Sequence, residues 1–251
     1  PGHEFIGTVE KLPGDYSGPL SEGDRVTAYI AFSCGECEEC RSGRERLCSN
    51  LRILGCQTNG AFAEQVSIPV RNLFPIPAQL PDRAAALTEP TSIAVHAVTR
   101  AMPLEGARTV VVGAGPIGHL VATAARHFGA SPVVLLDISP FRLEAARKAG
   151  FPVLDATSAN LEEEIADAIG GRLDVMFECA AQNSSAELFL HLGAPESHMV
   201  IVANYKHETP VHFFKLARNE QRISTSWLAS REDYQTALDL LEQGVVKPDL
   251  V

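Results

Sequence analysis

The chain has 251 residues, of which 45% are hydrophobic and 21% charged, and its formal net charge is -10. This size and composition predict one or two globular domains with enough apolar residues for a core. The negative charge argues against nucleic acid or an anionic membrane surface as the main partner, and no apolar run approaches the ~20 residues needed to span a bilayer.

The first 80 or so residues are expected to form an all-β lobe of short strands. Alternating or β-prone runs at 5–9, 24–31 and 60–70 predict three of these strands. His3 and Glu4 stand just before the first run. Because consecutive side chains of a strand point to opposite faces, a single tight site that uses both would need a bend of the chain there.

Four of the six cysteines are clustered in this lobe, with the spacing C-x2-C-x2-C-x7-C. They are Cys34, Cys37, Cys40 and Cys48. Four thiolates at such spacing fit a closed tetrahedral zinc site, whose role would be structural because no coordination position is open. An iron–sulfur cluster could also use four cysteines. Zinc is favoured because the lobe adjoins a nucleotide-binding fold, and clustered thiols indicate metal rather than disulfides in a cytoplasmic protein.

A helical pattern at 83–100 is broken by Pro90, which predicts that Glu89 lies at a helix boundary. The acid stands among the apolar residues of AAALTEP, where a buried carboxylate without a partner would be costly. A metal ion is one candidate partner. The alternative is an exposed acid at the end of a helix.

Residues 109–137 carry the strand, glycine turn, helix and strand of a dinucleotide site. The turn is a G-x-G-x-x-G motif formed by Gly113, Gly115 and Gly118. These glycines allow a tight turn, close approach of the backbone to a pyrophosphate and close packing of the helix on the strand. Asp137 ends the second strand, and its carboxylate would bind a ribose 2′-hydroxyl and repel a 2′-phosphate, which predicts NAD rather than NADP. The alternatives are a glycine turn in another doubly wound protein and an Asp137 that caps the next helix.

The alternation of strands and helices continues to the end of the chain and predicts a parallel sheet with right-handed crossovers. Further strands are predicted at 151–154, 173–177, 198–203 and 222–226, and further helices at 140–149, 161–169, 184–192 and 233–243.

GHE, the cysteine lobe, LTEP and GAGPIG, in this order, resemble the zinc-dependent medium-chain dehydrogenase/reductase family. The Glu-Pro of LTEPTSIAVHA is similar to the sorbitol (polyol) and threonine dehydrogenase branch. The resemblance implies an α/β fold, with an incomplete GroES-like β-barrel catalytic domain at 1–88 and a Rossmann NAD-binding domain with a doubly wound parallel sheet at 89–251. It also implies that the family's first barrel strands, a cysteine ligand upstream of GHE and the final return to the barrel are missing.

The resemblance assigns the site residues. It implies that His3 is a ligand of a catalytic zinc and that Glu4 and Glu89 bind this zinc directly or approach it through water. Without the upstream cysteine, tight binding of this zinc is not expected. The four clustered cysteines match a structural zinc site. The residues expected to bind NAD are Gly113, Gly115, Pro116, Ile117, Gly118, Asp137 and Arg142.

The resulting hypothesis is a zinc-dependent oxidoreductase that transfers hydride between NAD and a secondary alcohol, namely a polyol, sugar or sugar acid. One alternative is an amino-alcohol dehydrogenase of the threonine type. Another is a catalytically silent family member that binds NAD(H). The expected partners are a small-molecule alcohol and further copies of the chain in a homodimer or homotetramer, with no nucleic acid and no membrane, in the cytoplasm.

Overall fold

The protein forms two compact units in a computed structural model that describes residues 1–101 and 103–250. Unit 1 comprises Pro1–Ile93 and Leu228–Pro248. Unit 2 comprises Ala94–Trp227 and the residues that follow Pro248. The division predicted from the sequence at residues 88 and 89 stays a prediction, and it differs from these units in the placement of Leu228–Pro248.

Unit 1 is built from short strands and helical turns. Its strands are β1 (Gly7–Thr8), β2 (Arg25–Ala28), β3 (Ala31–Phe32), β4 (Arg52–Ile53) and β5 (Leu73–Pro75). Its first helices are α1 (Glu38–Arg41), α2 (Asp82–Ala85) and the start of α3 (Thr88–Thr99), with 3-10 turns at Glu45–Leu47 and Val70–Asn72. Strands β1, β2 and β5 form one antiparallel sheet, and β3 and β4 form another.

The strand predicted at 60–70 is wrong. Residues 60–69 are all described and contain no strand. Val66 and Ile68 do pack against the buried Ile30, Phe32 and Leu54, but Phe62 is 80% exposed, so the apolar pattern arises from packing of an irregular segment. The segment instead pairs with the start of the chain, where the N–H groups of Ala61 and Phe62 donate to the carbonyl oxygens of Gly2 (2.9 Å) and Pro1 (3.1 Å).

The predicted helix break at Pro90 is also wrong, since α2 ends at Ala85 and α3 begins at Thr88. Pro90 therefore lies in the first turn of α3, where its missing N–H would have had no intrahelical acceptor. The break precedes Glu89, which places this acid inside the first turn of the helix.

Unit 2 is a doubly wound α/β structure around a six-stranded parallel sheet of order β11-β10-β9-β6-β7-β8. Its strands are β6 (Thr109–Val112), β7 (Val133–Asp137), β8 (Val153–Asp155), β9 (Leu173–Glu178), β10 (Gly193–Ile201) and β11 (Arg222–Thr225). Its helices are α4 (Pro116–His127), α5 (Pro140–Lys148), α6 (Leu161–Ile169), α7 (Ser184–Leu192) and α8 (Phe213–Arg218). The strand order reverses between β6 and β9.

The central strands of this sheet are buried along their whole length, which explains their unbroken apolar sequence. Val110, Val134 and Met176 lie in one core cluster with Phe189 of α7. Each such side chain contributes roughly 1.5–3 kcal/mol by leaving water. The core thus fixes the carboxyl ends of β6 and β7, where the glycine turn and Asp137 lie.

The last helix, α9 (Arg231–Glu242), belongs to unit 1. It begins with a capping box, in which Asp233 N–H donates to Ser230 Oγ (3.1 Å) and Ser230 N–H donates to Asp233 Oδ2 (2.7 Å). Its buried Tyr234 packs edge-on against Tyr29, with ring centroids 5.4 Å apart. None of the described helices is long and apolar enough to cross a membrane.

Candidate metal and dinucleotide sites

The four clustered cysteines converge on one point. The Sγ–Sγ distances are 3.9 Å for Cys34–Cys40, 3.4 Å for Cys37–Cys40, 3.8 Å for Cys37–Cys48 and 3.6 Å for Cys34–Cys48. Zinc–sulfur bonds of ~2.3 Å around a tetrahedron place the sulfurs about 3.8 Å apart, so the cluster fits one zinc ion. A sulfur tetrahedron of this size closes around a single ion and leaves no room for a cluster of several irons.

Backbone N–H groups of the lobe donate hydrogen bonds to two of these sulfurs, those of Cys34 and Cys48. The N–H of Cys37 donates to Cys34 Sγ (3.4 Å), and the N–H groups of Cys34 and Asn50 donate to Cys48 Sγ (3.4 and 3.3 Å). Backbone N–H groups of Glu36 and Cys37 lower the pKa of Cys34 to about 6. Burial raises the pKa of Cys40 to about 12. Four thiolates so close together need a cation, which is the condition that a bound zinc satisfies.

A second group of potential metal ligands is formed by His3, Glu4 and Glu89, whose ligand atoms all lie within 4.8 Å of one another. The bend required for this convergence precedes His3, because Gly2 has a φ of +96°. The ring of Phe62 lies where a Cβ of Gly2 would stand. His3 and Glu4 precede β1, so the alternation of strand side chains does not separate them. One imidazole and two carboxylates are oxygen and nitrogen donors that zinc accepts.

Glu89 is the buried member of this group, with 5% of the residue exposed. Burial, and after it the negative charge of Glu4, raise the pKa of its carboxyl to about 8. Burial and the neighbouring carboxylate of Glu4 thus oppose ionisation of the buried acid. A divalent cation would reverse this balance, which agrees with a metal site and excludes the exposed helix-end acid considered from the sequence.

Tyr234 beside Glu89 was missed by the sequence analysis. Burial strongly raises the pKa of Tyr234, with the charge of Glu89 as the next cause, so its phenol stays neutral. Its helix is also tied to the cysteine lobe, where Arg231 Nε donates to Glu45 Oε2 (2.9 Å). The sequence assigned this helix to the nucleotide-binding domain, whereas the packing of Tyr234 on Tyr29 and the Arg231–Glu45 contact place it in unit 1.

The glycine turn of unit 2 has the form that a dinucleotide site requires. Gly113 has a φ of +98°, and a Cβ on Gly118 would clash with the carbonyl oxygen of Gly113. A Cβ on Gly115 would meet nothing within 4 Å, so the turn leaves open space there for a ligand. Pro116 opens α4, and the N–H groups of Ile117 and Gly118 lack intrahelical acceptors by helix geometry. A pyrophosphate fits this arrangement of open space and free donors.

Asp137 connects the glycine turn to the start of α5. Its Oδ2 accepts from Ala114 N–H (2.8 Å), and its Oδ1 accepts from Ser139 N–H (2.8 Å). Arg142 NH1 lies 3.6 Å from Oδ2, and its side chain is 55% exposed. Each carboxylate oxygen has a further lone pair, so the acid is fixed in place and still able to accept from a ribose hydroxyl. The N-cap of α5 is Ser139, so the alternative considered from the sequence, in which Asp137 caps this helix, is wrong.

Comparison with known proteins assigns the chain to a family. A family model described as zinc-binding dehydrogenase matches residues 116–243. The chain belongs to the zinc-binding dehydrogenase family. A second model, described as an alcohol dehydrogenase GroES-like domain, matches residues 1–78 of the chain. The predicted family and the predicted fold class, a Rossmann sheet with a GroES-like domain, are thereby confirmed.

Individual relatives agree with this assignment. The chain is 42% identical to an L-threonine 3-dehydrogenase of Shewanella frigidimarina over 149 residues, which are 59% of this chain and 43% of that protein. It is 32% identical to an L-galactonate-5-dehydrogenase of Escherichia coli over 256 positions, which cover 100% of this chain and 73% of that protein. The match to the threonine dehydrogenase therefore spans less than half of that relative's length.

A solved structure from Escherichia coli, described as a short chain alcohol dehydrogenase complexed with the cofactor NADH, superposes with a TM-score of 0.93. It is 26% identical, and the match covers 99% of this chain and 74% of that chain. The fold is thus similar to that of a protein described as an alcohol dehydrogenase.

Proposed function

We propose that this chain carries the metal-binding and cofactor-binding parts of a zinc-dependent oxidoreductase. The reaction is hydride transfer between NAD and a secondary alcohol of a polyol, sugar or sugar acid. The observation that carries the proposal is the convergence of His3, Glu4 and Glu89 within 4.8 Å in a chain that also holds a glycine turn followed by Asp137.

The two clusters of unit 1 would have different tasks. The four cysteines would hold a structural zinc, since four thiolates close its coordination sphere. His3, Glu4 and Glu89 would hold the catalytic zinc, which when bound supplies Lewis-acid polarisation of the substrate oxygen. Three protein ligands would leave a coordination position for that oxygen. If Glu4 instead approaches the zinc through water, its exposed carboxylate beside the buried Glu89 would pass a proton between the cluster and solvent.

Unit 2 would bind the dinucleotide, which supplies the hydride acceptor. The residues proposed to bind it are Gly113, Gly115, Pro116, Ile117, Gly118, Asp137 and Arg142. The start of α4 would bind the pyrophosphate, and Asp137 with Arg142 would bind the adenosine ribose. The buried carboxylate of Asp137 disfavours a 2′-phosphate, which supports NAD over NADP as the cofactor.

L-Threonine is the second candidate substrate, because the identity to a threonine dehydrogenase is 42% over its matched region. A sugar acid is supported by the galactonate dehydrogenase, which matches over the whole chain at 32% identity. Both substrates are secondary alcohols, so the same metal and cofactor chemistry serves either.

The test is a spectrophotometric screen for NAD reduction with polyols, sugar acids and L-threonine, using the protein that carries this chain. We expect reduction of NAD with one of these classes, and loss of the preference for NAD over NADP in Asp137→Ala. Binding of NADH without reduction by any alcohol would contradict the enzyme assignment and support a silent NAD(H)-binding protein. An unchanged ratio of NAD to NADP activity in Asp137→Ala would contradict the cofactor assignment.

The family resemblance further supports a cytoplasmic homo-oligomer, either a dimer or a tetramer. Light scattering of the purified protein measures this directly. A monomer at micromolar concentration would contradict it.

A further inference from the structure

Glu178 occupies a position in unit 2 that the proposed function does not use. It is the last residue of β9, and it pairs in register with Val112 at the end of β6. The strand order reverses between these two strands. In doubly wound sheets, ligands bind in the crevice outside the carboxyl ends of the strands at this reversal. Glu178 therefore stands at the edge of the expected dinucleotide crevice.

The side chain of Glu178 faces the protein and not the crevice, since the residue is 0% exposed. It accepts hydrogen bonds from the loop that follows it, residues 179–183. The donors are the N–H groups of Ala180 (3.0 Å), Ala181 (3.1 Å) and Gln182 (3.2 Å). Ser185 Oγ adds a fourth bond at 3.4 Å. A buried carboxylate is costly unless its oxygens are bonded, so this loop and this acid depend on each other.

The 179–183 loop has a conformation that needs such support. Ala181 has a φ of +53°, a left-handed conformation that costs a non-glycine residue of the order of 1 kcal/mol. The hydroxyl of Tyr205 also donates to the carbonyl oxygen of Gln182 (2.9 Å). The loop is thus held by Glu178 and by Tyr205, whose hydroxyl also lies close to the Glu178 carboxylate.

The loop lies directly against the glycine turn. A Cβ on Gly113 would stand 3.1 Å from the Cβ of Ala180 and 3.2 Å from the carbonyl carbon of Cys179. The glycine turn and the 179–183 loop are therefore neighbouring walls of one crevice. Movement of the loop would change the width of that crevice.

We propose that Glu178 is a positioning residue for the nicotinamide half of the dinucleotide, acting through the 179–183 loop without touching the cofactor. This inference rests on the proposed function. Asp137 at the end of β7 places the adenosine half on the β7 side of β6. The two halves of a dinucleotide lie on opposite sides of the reversal, so the nicotinamide half belongs on the β9 side.

The test compares two ligands on one variant. NADH occupies both halves of the crevice, whereas AMP occupies only the adenosine half. In Glu178→Gln, one of the loop's charge-assisted acceptors is lost, so we expect the Kd for NADH to rise about tenfold or more. The Kd for AMP is expected to stay within about twofold of wild type. NADH fluorescence and calorimetry with AMP measure the two constants.

Asp174→Asn is the matched control. Asp174 lies at the opposite end of the same strand and accepts hydrogen bonds from Arg108 Nε (2.8 Å) and NH2 (2.9 Å). The substitution Asp174→Asn removes a hydrogen-bonded carboxylate that lies far from the carboxyl ends of the strands. We expect a lower Tm, with both Kd values within about twofold of wild type. A general loss of stability is thereby distinguished from a local effect on the crevice.

Should circular dichroism show that Glu178→Gln does not fold, Tyr205→Phe tests the same loop by removing its hydrogen bond to the carbonyl oxygen of Gln182. Its expected rise in the NADH Kd is about threefold, with AMP unchanged. An unchanged NADH Kd in the folded variants, or an equal loss for AMP and NADH, would overturn the inference while leaving the proposed function intact. A wild-type protein that binds neither ligand would overturn both.

Discussion

The four-cysteine cluster and the cluster of His3, Glu4 and Glu89 both lie in unit 1 and are built in opposite ways. The cysteines come from one short segment and form a nearly regular sulfur tetrahedron. The other cluster joins the start of the chain to the first turn of α3, and it combines an exposed acid with a buried one. The first is closed and made by local spacing. The second is open on one side and made by tertiary structure, which is the arrangement suited to a substrate.

The largest expected effect is on the closed site. Cys48→Ser removes one of four thiolates from a buried position, so we expect the zinc of the lobe to be lost and the free energy of unfolding to fall by several kcal/mol. Metal analysis by mass spectrometry and thermal unfolding measure the two effects. Cys56→Ser is the control, because Cys56 is exposed and lies outside the cluster. Full zinc retention in Cys48→Ser would show that the four sulfurs do not bind the ion.

The next effect concerns the open site. Glu89→Gln keeps the size of the side chain and removes its charge, so we expect zinc affinity at this site to fall about 100-fold while the cysteine site stays filled. Calorimetric titration of zinc into protein with a filled cysteine site measures this difference. Glu64→Gln, at an exposed acid of the same unit, should leave the affinity unchanged. Equal zinc affinities in Glu89→Gln and wild type would show that Glu89 does not bind the ion.

The pH dependence of the stability of metal-free protein tests the open site in a second way. Burial raises the pKa of Glu89 from 4.5 to about 8, so its contribution to stability is present below pH 4.5 and is lost as pH rises through 8. In chelator-treated protein, wild type should therefore lose up to about 5 kcal/mol relative to Glu89→Gln between these pH values. Urea unfolding at several pH values measures the difference. A difference in the free energy of unfolding that does not change with pH would contradict the raised pKa of Glu89.

The contrast between the sites also explains what the sequence could predict. The cysteine spacing and the glycine turn are local patterns, and the structure has both where they were expected. His3, Glu4 and Glu89 were brought together by resemblance, because residues so far apart carry no local signal of contact. The strand predicted at 60–70 failed because alternation does not show whether a segment has a partner strand: Val66 and Ile68 pack on a core without forming a strand. The place of α9 in unit 1 depends on the packing of Tyr234.

Glu178 illustrates the same limit in unit 2. An acid at the end of a buried strand is an ordinary feature in sequence, and its four hydrogen bonds arise only when the 179–183 loop folds back over it. The positive φ of Ala181 has no sequence signal, since alanine does not favour it. Local patterns thus locate the crevice, and tertiary contacts determine how its wall is held.

The central claim is that unit 1 holds a closed thiolate site and a separate open site. Cobalt titration of metal-stripped protein, followed by absorption spectroscopy, tests this claim most directly. The first equivalent is expected to give intense sulfur-to-cobalt charge-transfer bands, and a second, weaker equivalent only d–d bands, which Glu89→Gln abolishes. Saturation of the wild type by one equivalent of cobalt would contradict the account. Binding of a second equivalent that Glu89→Gln leaves unchanged would also contradict it.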